Sequence, residues 1–436
     1  MPSSGPTAAA VGAPARPWRW IPTLYFGQGL PYVVVMTLAV VMYKNLGLSN
    51  TEIALYTSWL YLPWVIKPLW SPMVDLLGRK RLWIVGLQFL IGTAFALVAL
   101  TLPVSNNVQM TLAVFWLLAF ASATHDIAAD GFYMLALPQR TQAAFVGVRS
   151  TFYRLAMIGG QGGLVYLAGW LQERTGDVIS SWQMVFWALA GVFALGASFH
   201  ALMLPKPVAD VPAKRSANFW SDFVKVFAAF FAKPDIVRIL AFLLLYRFAE
   251  AQLLKLVTPF MLDPVDVGGL GLKTQDVGIA YGTFGIAALT VGGLLGGWII
   301  SQRGLKNVLW PLVLCMHLPN TVYVALAIWQ PSSLPVVSAA IAIEQFGYGF
   351  GFTAYLVFAL MVAGGPDGNS VHKTAHYALC TGFMALGMMI PGMWSGWLQE
   401  QLGYVNFFIW ACVATIPSFL AAAWIRIDPE FGRRTE

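Results

Sequence analysis

Apolar residues run for 20 positions or more at a time along this 436-residue chain, and short polar turns separate the runs. The runs lie near 20–43, 51–74, 82–103, 108–137, 141–170, 180–204, 236–262, 275–301, 307–329, 334–363, 374–400 and 404–425. A helix needs about 20 mostly apolar residues to cross a bilayer, so the pattern predicts twelve spanning helices. Membrane β-strands would show two-residue alternation over segments of about ten residues, and no run does. The expected fold class is an all-α polytopic membrane protein.

Composition agrees: 58% of residues are hydrophobic and 10% charged, against roughly half and a quarter in soluble domains. The net charge of +7 invites an anionic partner such as nucleic acid, but its distribution argues otherwise. With the N-terminus inside, eighteen Lys and Arg fall in cytoplasmic segments, and only Lys44, Arg174 and Lys273 in outer loops. That is the positive-inside bias, so both termini are expected in the cytoplasm and no nucleic acid is implied. Residues 1–17, rich in Pro, Ala, Gly and Ser, read as a disordered tail rather than a signal peptide. Cys315, Cys380 and Cys412 fall within spans and read as packing residues. No cofactor and no metal site is expected, because no histidines have ligand spacing with a third group. His317 reads as a satisfied buried residue. His125 points about 100° around the helix from its neighbour Asp126.

The spans divide six and six around residues 205–235, giving bundles over 18–204 and 236–426, with a second tail at 427–436. Within the connection, Phe219, Phe223, Val226, Phe227 and Phe230 recur at helical spacing. This predicts a helix that lies on the inner leaflet or packs on the bundles. The turns "SPMVDLLGRKRLW" and "GWIISQRGLKNVLW" repeat: Ser71, Asp75, Gly78 and Lys80 align with Gly297, Ser301, Gly304 and Lys306 at a constant offset of 226. Parallel repeats are a transporter feature. Gly78 would permit a sharp reversal, and Asp75 with Arg79 forms a candidate gating latch at the inner mouth. "GGLLGG" at 292–297 reads as close helix packing.

The stretch 71–80 resembles the signature loop of the major facilitator superfamily, with Ser71 in place of its first glycine. A narrower resemblance, to AmpG-type muropeptide permeases and related peptide and acetyl-CoA transporters, rests on "FGQGLP", "KPLWSPMVD", "SATHDIAADGF", "YRLAMIGGQGG", "YRFAEA" and "EQFGYGFG". The resemblance implies two pseudo-symmetric six-helix bundles and a secondary transporter rather than an enzyme. It further implies proton-coupled uptake of anhydromuramyl peptides for peptidoglycan recycling across the inner membrane, by a monomer. Siderophores, acetyl-CoA, peptides and drugs remain alternative cargoes, and a membrane-embedded transferase an alternative class.

Ionisable groups inside a membrane are costly and face a cavity or each other. Nine occur here: Lys67, Asp126, Asp130, Arg149, Arg154, Arg247, Glu250, Lys255 and Glu344. Matching depths pairs Asp130 with Arg149, read as a structural ion pair, Asp126 with Arg154, and Lys255 with Glu344. Asp126, Asp130, Glu250 and Glu344 are the candidate proton-coupling groups. Arg154, Arg247, Lys255, Gln28 and Lys67 are the candidate cargo contacts. Arg247 and Glu250, three apart, would alternatively neutralise each other, and Lys67 would alternatively snorkel to the interface.

Overall fold

The computed structural model describes residues 16–212, 219–364, 372–428 and 431–433, apart from the side chains of Asp75, Gln139, Ala143, Phe219, Trp220 and Asp222. Most of the first expected tail, half of the second, and the Asp75 side chain of the expected latch lie outside the described residues. Within them the chain is helical, with no strand.

Span 1 is Ile21–Val33, a π-helical turn Val34–Leu38 and Ala39–Asn45; span 2 is Asn50–Trp59 and Leu62–Leu77. Span 3 is Lys80–Thr101, span 4 Asn107–Ala136, and span 5 Gln139–Ile158 continuing through π-helical Gly159–Leu164 into Val165–Thr175. Span 6 is Val178–Met203. After a linker helix, Phe219–Phe231, span 7 comprises Ile236–Leu245 and Phe248–Leu262. Span 8 comprises Thr274–Val277, π-helical Gly278–Gly285 and Ile286–Arg303. Span 9 runs over Leu305–His317, Leu318–Asn320 and Thr321–Trp329, and span 10 is Leu334–Gly364. Span 11 is Lys373–Met393 with 395–402; at Gly403 (φ 72°) the chain reverses into span 12, which ends with Ile416–Trp424. An even number of crossings puts residues 16–21 and 424–428 on one face, here the terminal face; the other is the distal face.

Eight helical runs are long and apolar enough to cross a membrane. Spans 2, 5, 7 and 11 fall outside that set, and the first three carry Lys67, Arg149, Arg154, Arg247, Glu250 and Lys255.

Span 3 packs between spans 4 and 6, and span 10 lies against spans 8 and 9. As the "GGLLGG" pattern predicts, spans 8 and 10 touch backbone to backbone: a Cβ on Gly292 would lie 2.1 Å from the Phe346 carbonyl oxygen. The linker helix packs on the second bundle. Phe230 is buried against Phe383 and His376, and His376 Nε2 lies 3.2 Å from the Val226 carbonyl oxygen. Val224 and Phe231 on the same helix stay exposed.

One expectation about the repeated turn is corrected. Gly78 has φ 174°, an extended conformation open to any residue, whereas Gly304 has φ 79° and needs glycine. The linker also contributes: buried Asp210 accepts the Lys80 and Arg81 backbone N–H groups at 2.7 and 3.1 Å, capping span 3. Arg79 itself is exposed at that helix start. The cysteines are all free, and only Cys380 is a buried packing residue; Cys315 is exposed. His317 is buried between Tyr246 and Phe419, but neither ring nitrogen has a partner, so it is not satisfied.

Candidate functional site

Span 4 places Asp126 and Asp130 one turn apart on the side facing spans 1, 2 and 5. Asp130 pairs with Arg149 at 2.9 Å, as its depth predicts, and accepts the Tyr25 hydroxyl at 3.2 Å. The Arg149 guanidinium lies 4.5 Å from the Tyr25 ring centre and 5.0 Å from that of Tyr133. Asp126 does not pair with Arg154. Its Oδ2 accepts Trp64 Nε1 at 3.2 Å and lies 3.5 Å from Lys67 Nζ, with Gln28 beside it. Depth along a helix says nothing about azimuth, and span 2 reaches Asp126 first. Lys67 therefore turns inward rather than snorkelling. Arg154 reaches across to span 8, where a Cβ on Gly293 would lie 3.5 Å from Nη2.

His125 points away from Asp126, as expected. It joins a buried chain in which His125 Nε2, Gln88, His200 and Thr23 link spans 4, 3, 6 and 1 at 3.1, 2.8 and 2.9 Å.

The second bundle is built around a broken helix. Span 7 stops at Leu245 and restarts at Phe248. The carbonyls freed near the break are taken by hydroxyls of neighbouring helices: Ser418 donates to Leu245 and Tyr246 at 3.0 and 2.8 Å, and Tyr355 to Leu243 at 2.9 Å. Side-chain hydroxyls that re-satisfy backbone make such breaks tolerable at membrane depth. The break leaves Arg247 as N-cap residue and Glu250 in the first turn of the restarted helix, where the positive end of the dipole favours a carboxylate.

Arg247 is buried, donates to the Tyr348 hydroxyl and lies 4.6 Å from the Phe352 ring centre. It forms no contact ion pair with Glu250, although the two remain charged neighbours. Glu250 is fully buried and neither of its carboxylate oxygens has a hydrogen-bond partner. Its charged neighbours are Glu344 and Arg247. Glu344, also fully buried, accepts the Tyr323 hydroxyl at 2.8 Å and Gln345 Nε2 at 2.9 Å through Oε2, while Oε1 is unpartnered. Lys255 does not reach Glu344. It crosses to the first bundle and donates to Thr57 Oγ1 at 2.9 Å.

Between the bundles, polar contacts gather at the distal face. Asp263 accepts Lys44 at 2.6 Å, the Tyr404 hydroxyl at 2.6 Å and Asn50 Nδ2 at 3.3 Å. Asn50 also donates to Gln399 at 2.6 Å, Thr51 Oγ1 to Glu400 at 2.6 Å, and Lys273 pairs with Glu173 at 2.7 Å. Beneath them the backbones touch: a Cβ on Gly282 would lie 2.2 Å from the Gln161 carbonyl oxygen, and one on Gly396 1.9 Å from that of Asn50. The Gly282 contact joins the two π-helical segments of spans 5 and 8, a helix form found often at functional sites. The distal mouth is shut. Toward the terminal face Arg149 and Asp130 keep 30% and 41% of their side-chain surface exposed, so water reaches this pair from that side.

Thr57, Asn50, Asp210, Asp263, Gln399 and Tyr404 are absent from the residues singled out by sequence. Polar residues at span ends carry no signal by themselves; only the pairing of remote turns reveals them.

A family model, the Major Facilitator Superfamily, matches residues 23–369. The chain is 25% identical over 422 residues to the anhydromuropeptide permease of Escherichia coli (strain K12), covering 94% of this chain and 80% of the relative. It is 25% identical over 414 residues to the putative transporter AmpG 4 of Rickettsia conorii, covering 91% and 94%. Among solved structures it resembles a bacterial homologue of the human lysosomal transporter Spinster in an inward-facing, unoccupied conformation, with a TM-score of 0.69 at 16% identity over 95% of this chain and 96% of that one. The nucleoside transporter NupG matches with a TM-score of 0.66 at 18% identity over 93% and 99%. Two six-helix bundles, charge carried on the inner faces, and a sealed seam at one face accord with these relatives: the chain is a multi-pass membrane transporter that belongs to the Major Facilitator Superfamily.

Proposed function

We propose that the protein is a proton-coupled carrier that takes up anhydromuramyl peptides, working as a monomer in the inner membrane with both termini cytoplasmic. The observation that carries the coupling is Glu250, a fully buried carboxylate whose two oxygens have no donor, beside a second buried carboxylate, Glu344. A buried carboxylate without donors is costly to ionise, which supports Glu250 as the group that takes up the proton in the closed state. Opening of the bundles to water would let it ionise and release that proton. Asp126 and Asp130 serve the same cycle from the first bundle, where they pair with Lys67 and Arg149.

Cargo lies between the bundles, within reach of Arg154, Arg247, Lys67 and Gln28, with Tyr32, Trp64 and Tyr348 offering ring faces to sugar. The charge asymmetry of the loops supports a periplasmic distal face, and the AmpG relatives support the cargo. Asp75 and Arg79 act as a gate at the terminal face. The test is uptake into proteoliposomes under an imposed pH gradient, with a panel of anhydromuropeptides, siderophores and peptides. Accumulation of an anhydromuropeptide that collapses with a protonophore is the expected result. Gradient-independent equilibration, or selective uptake of another class, would overturn it.

A further inference from the structure

Lys255 sits seven residues before the distal end of span 7 at Leu262, about 10 Å deep. It is 4% exposed, and among the described residues no carboxylate lies within ion-pair distance of it. An ammonium offers three N–H groups. One goes to Thr57 Oγ1 at 2.9 Å, and the Tyr61 ring centre lies 5.1 Å away, a cation–π contact. Next to Thr57, Ser58 Oγ is buried and has no hydrogen-bond partner at all. Both groups border Gly392 of span 11, where an added Cβ would lie 2.8 Å from Ser58 Oγ and 3.4 Å from Lys255 Cγ.

In this closed state nothing requires a cation there. A leucine or methionine would pack at position 255 without burying an amine that lacks an acid partner. The hydrogen bond to Thr57 is also the deepest of those that join the bundles at the distal seam. When the seam parts, span 2 withdraws Thr57 and Ser58 from span 7, and a wet cleft opens with a bare ammonium on one wall and two hydroxyls on the other.

We propose that Lys255, Thr57 and Ser58 form an anion subsite of the distal-open state, shaped for one carboxylate. The carboxylate accepts from the Lys255 ammonium and from the two hydroxyls, and it draws the walls together. When it leaves toward the terminal face, Thr57 takes back the ammonium and the empty carrier is shut. Its link to the cargo rests on the reading above that cargo enters at the distal face; the anion chemistry does not.

Two arms test this on the full chain in lipid. The first compares binding of an anhydromuropeptide bearing a free terminal carboxylate with binding of its terminal amide. The wild type should prefer the acid by about tenfold, the worth of a charge-assisted hydrogen bond, and Lys255→Met should bind both alike. A structural role for Lys255 would weaken both probes together. The second arm uses no cargo. With Cys315, Cys380 and Cys412 replaced by alanine, Ser58→Cys is labelled from the distal side with a neutral thiol reagent, with and without acetate. Acetate should slow labelling, and Lys255→Met should remove that effect. Acetate protection without acid preference assigns the subsite to a free anion rather than to cargo. Labelling indifferent to acetate, together with equal acid and amide binding, would sink the subsite while leaving the transport reading intact. Failure of the wild type to bind either muropeptide would count against the cargo reading, and the acetate arm would then decide the subsite alone.

Discussion

In the first bundle the two carboxylates of span 4 each face a cation: Asp126 has Lys67 at 3.5 Å, and Asp130 has Arg149 at 2.9 Å. In the second bundle Glu250 has Glu344 and Arg247 as charged neighbours, but Arg247 is bonded to Tyr348, and Lys255 reaches Thr57 instead. The two halves share a fold and a repeated turn yet handle charge in opposite ways. Paired charges lock helices and cost little to keep. Unpaired buried groups cost free energy in one state, so they are informative about the state in which they gain partners. On the coupling role proposed for Glu250, the second bundle would carry more of the chemistry that changes during transport and the first more of the scaffold.

The largest expected effect tests that division. Glu250→Gln should reduce gradient-driven accumulation by about 100-fold, some 2.7 kcal/mol, while leaving expression intact, because no donor is lost. Accumulation at the wild-type level in proteoliposomes would move the coupling role back to Asp126.

Pairing in the first bundle predicts non-additivity. Lys67→Met or Asp126→Asn alone leaves one charge without its partner and should cost about 2 kcal/mol of stability. The double variant should recover at least half of the loss, read as the melting temperature in detergent. Strict additivity would show that the 3.5 Å pair is not an interaction.

A smaller effect is expected at the seam that holds both halves. Asp263→Asn removes the hub for Lys44, Asn50 and Tyr404. It should shift the distal-open population about tenfold, roughly 1.4 kcal/mol, seen as faster labelling of Thr274→Cys from the distal side. Unchanged labelling would mean that the glycine-lined backbone contacts alone keep the mouth shut.

The smallest effect separates the two copies of the repeated turn. Gly304→Ala forces alanine to φ 79° and should cost about 1 kcal/mol. Gly78→Ala, at φ 174°, should stay within about 0.5 kcal/mol. Equal losses would show that the turns differ less than their dihedral angles suggest.

Twelve spans, their grouping by sixes, the common face of both chain ends and the Asp130–Arg149 pair were all legible along the chain. Each depends on a one-dimensional quantity, apolar length or depth from a shared turn, that the bilayer translates directly into structure. Three things were not. The partners of Asp126, Lys255 and Glu344 depend on azimuth and on which helix lies nearest, and depth matching is blind to both. The break at 246–247 contains no proline or glycine; it is allowed because Ser418 and Tyr355, from spans 12 and 10, take the freed carbonyls. The distal seam joins Asn50 to Gln399 across 349 positions, and no local pattern marks either residue. Apolar periodicity determines what enters the membrane, because water excludes it wherever it occurs. Only tertiary packing decides which buried polar group meets which, because in a low dielectric each must find a partner within a few ångströms or go without.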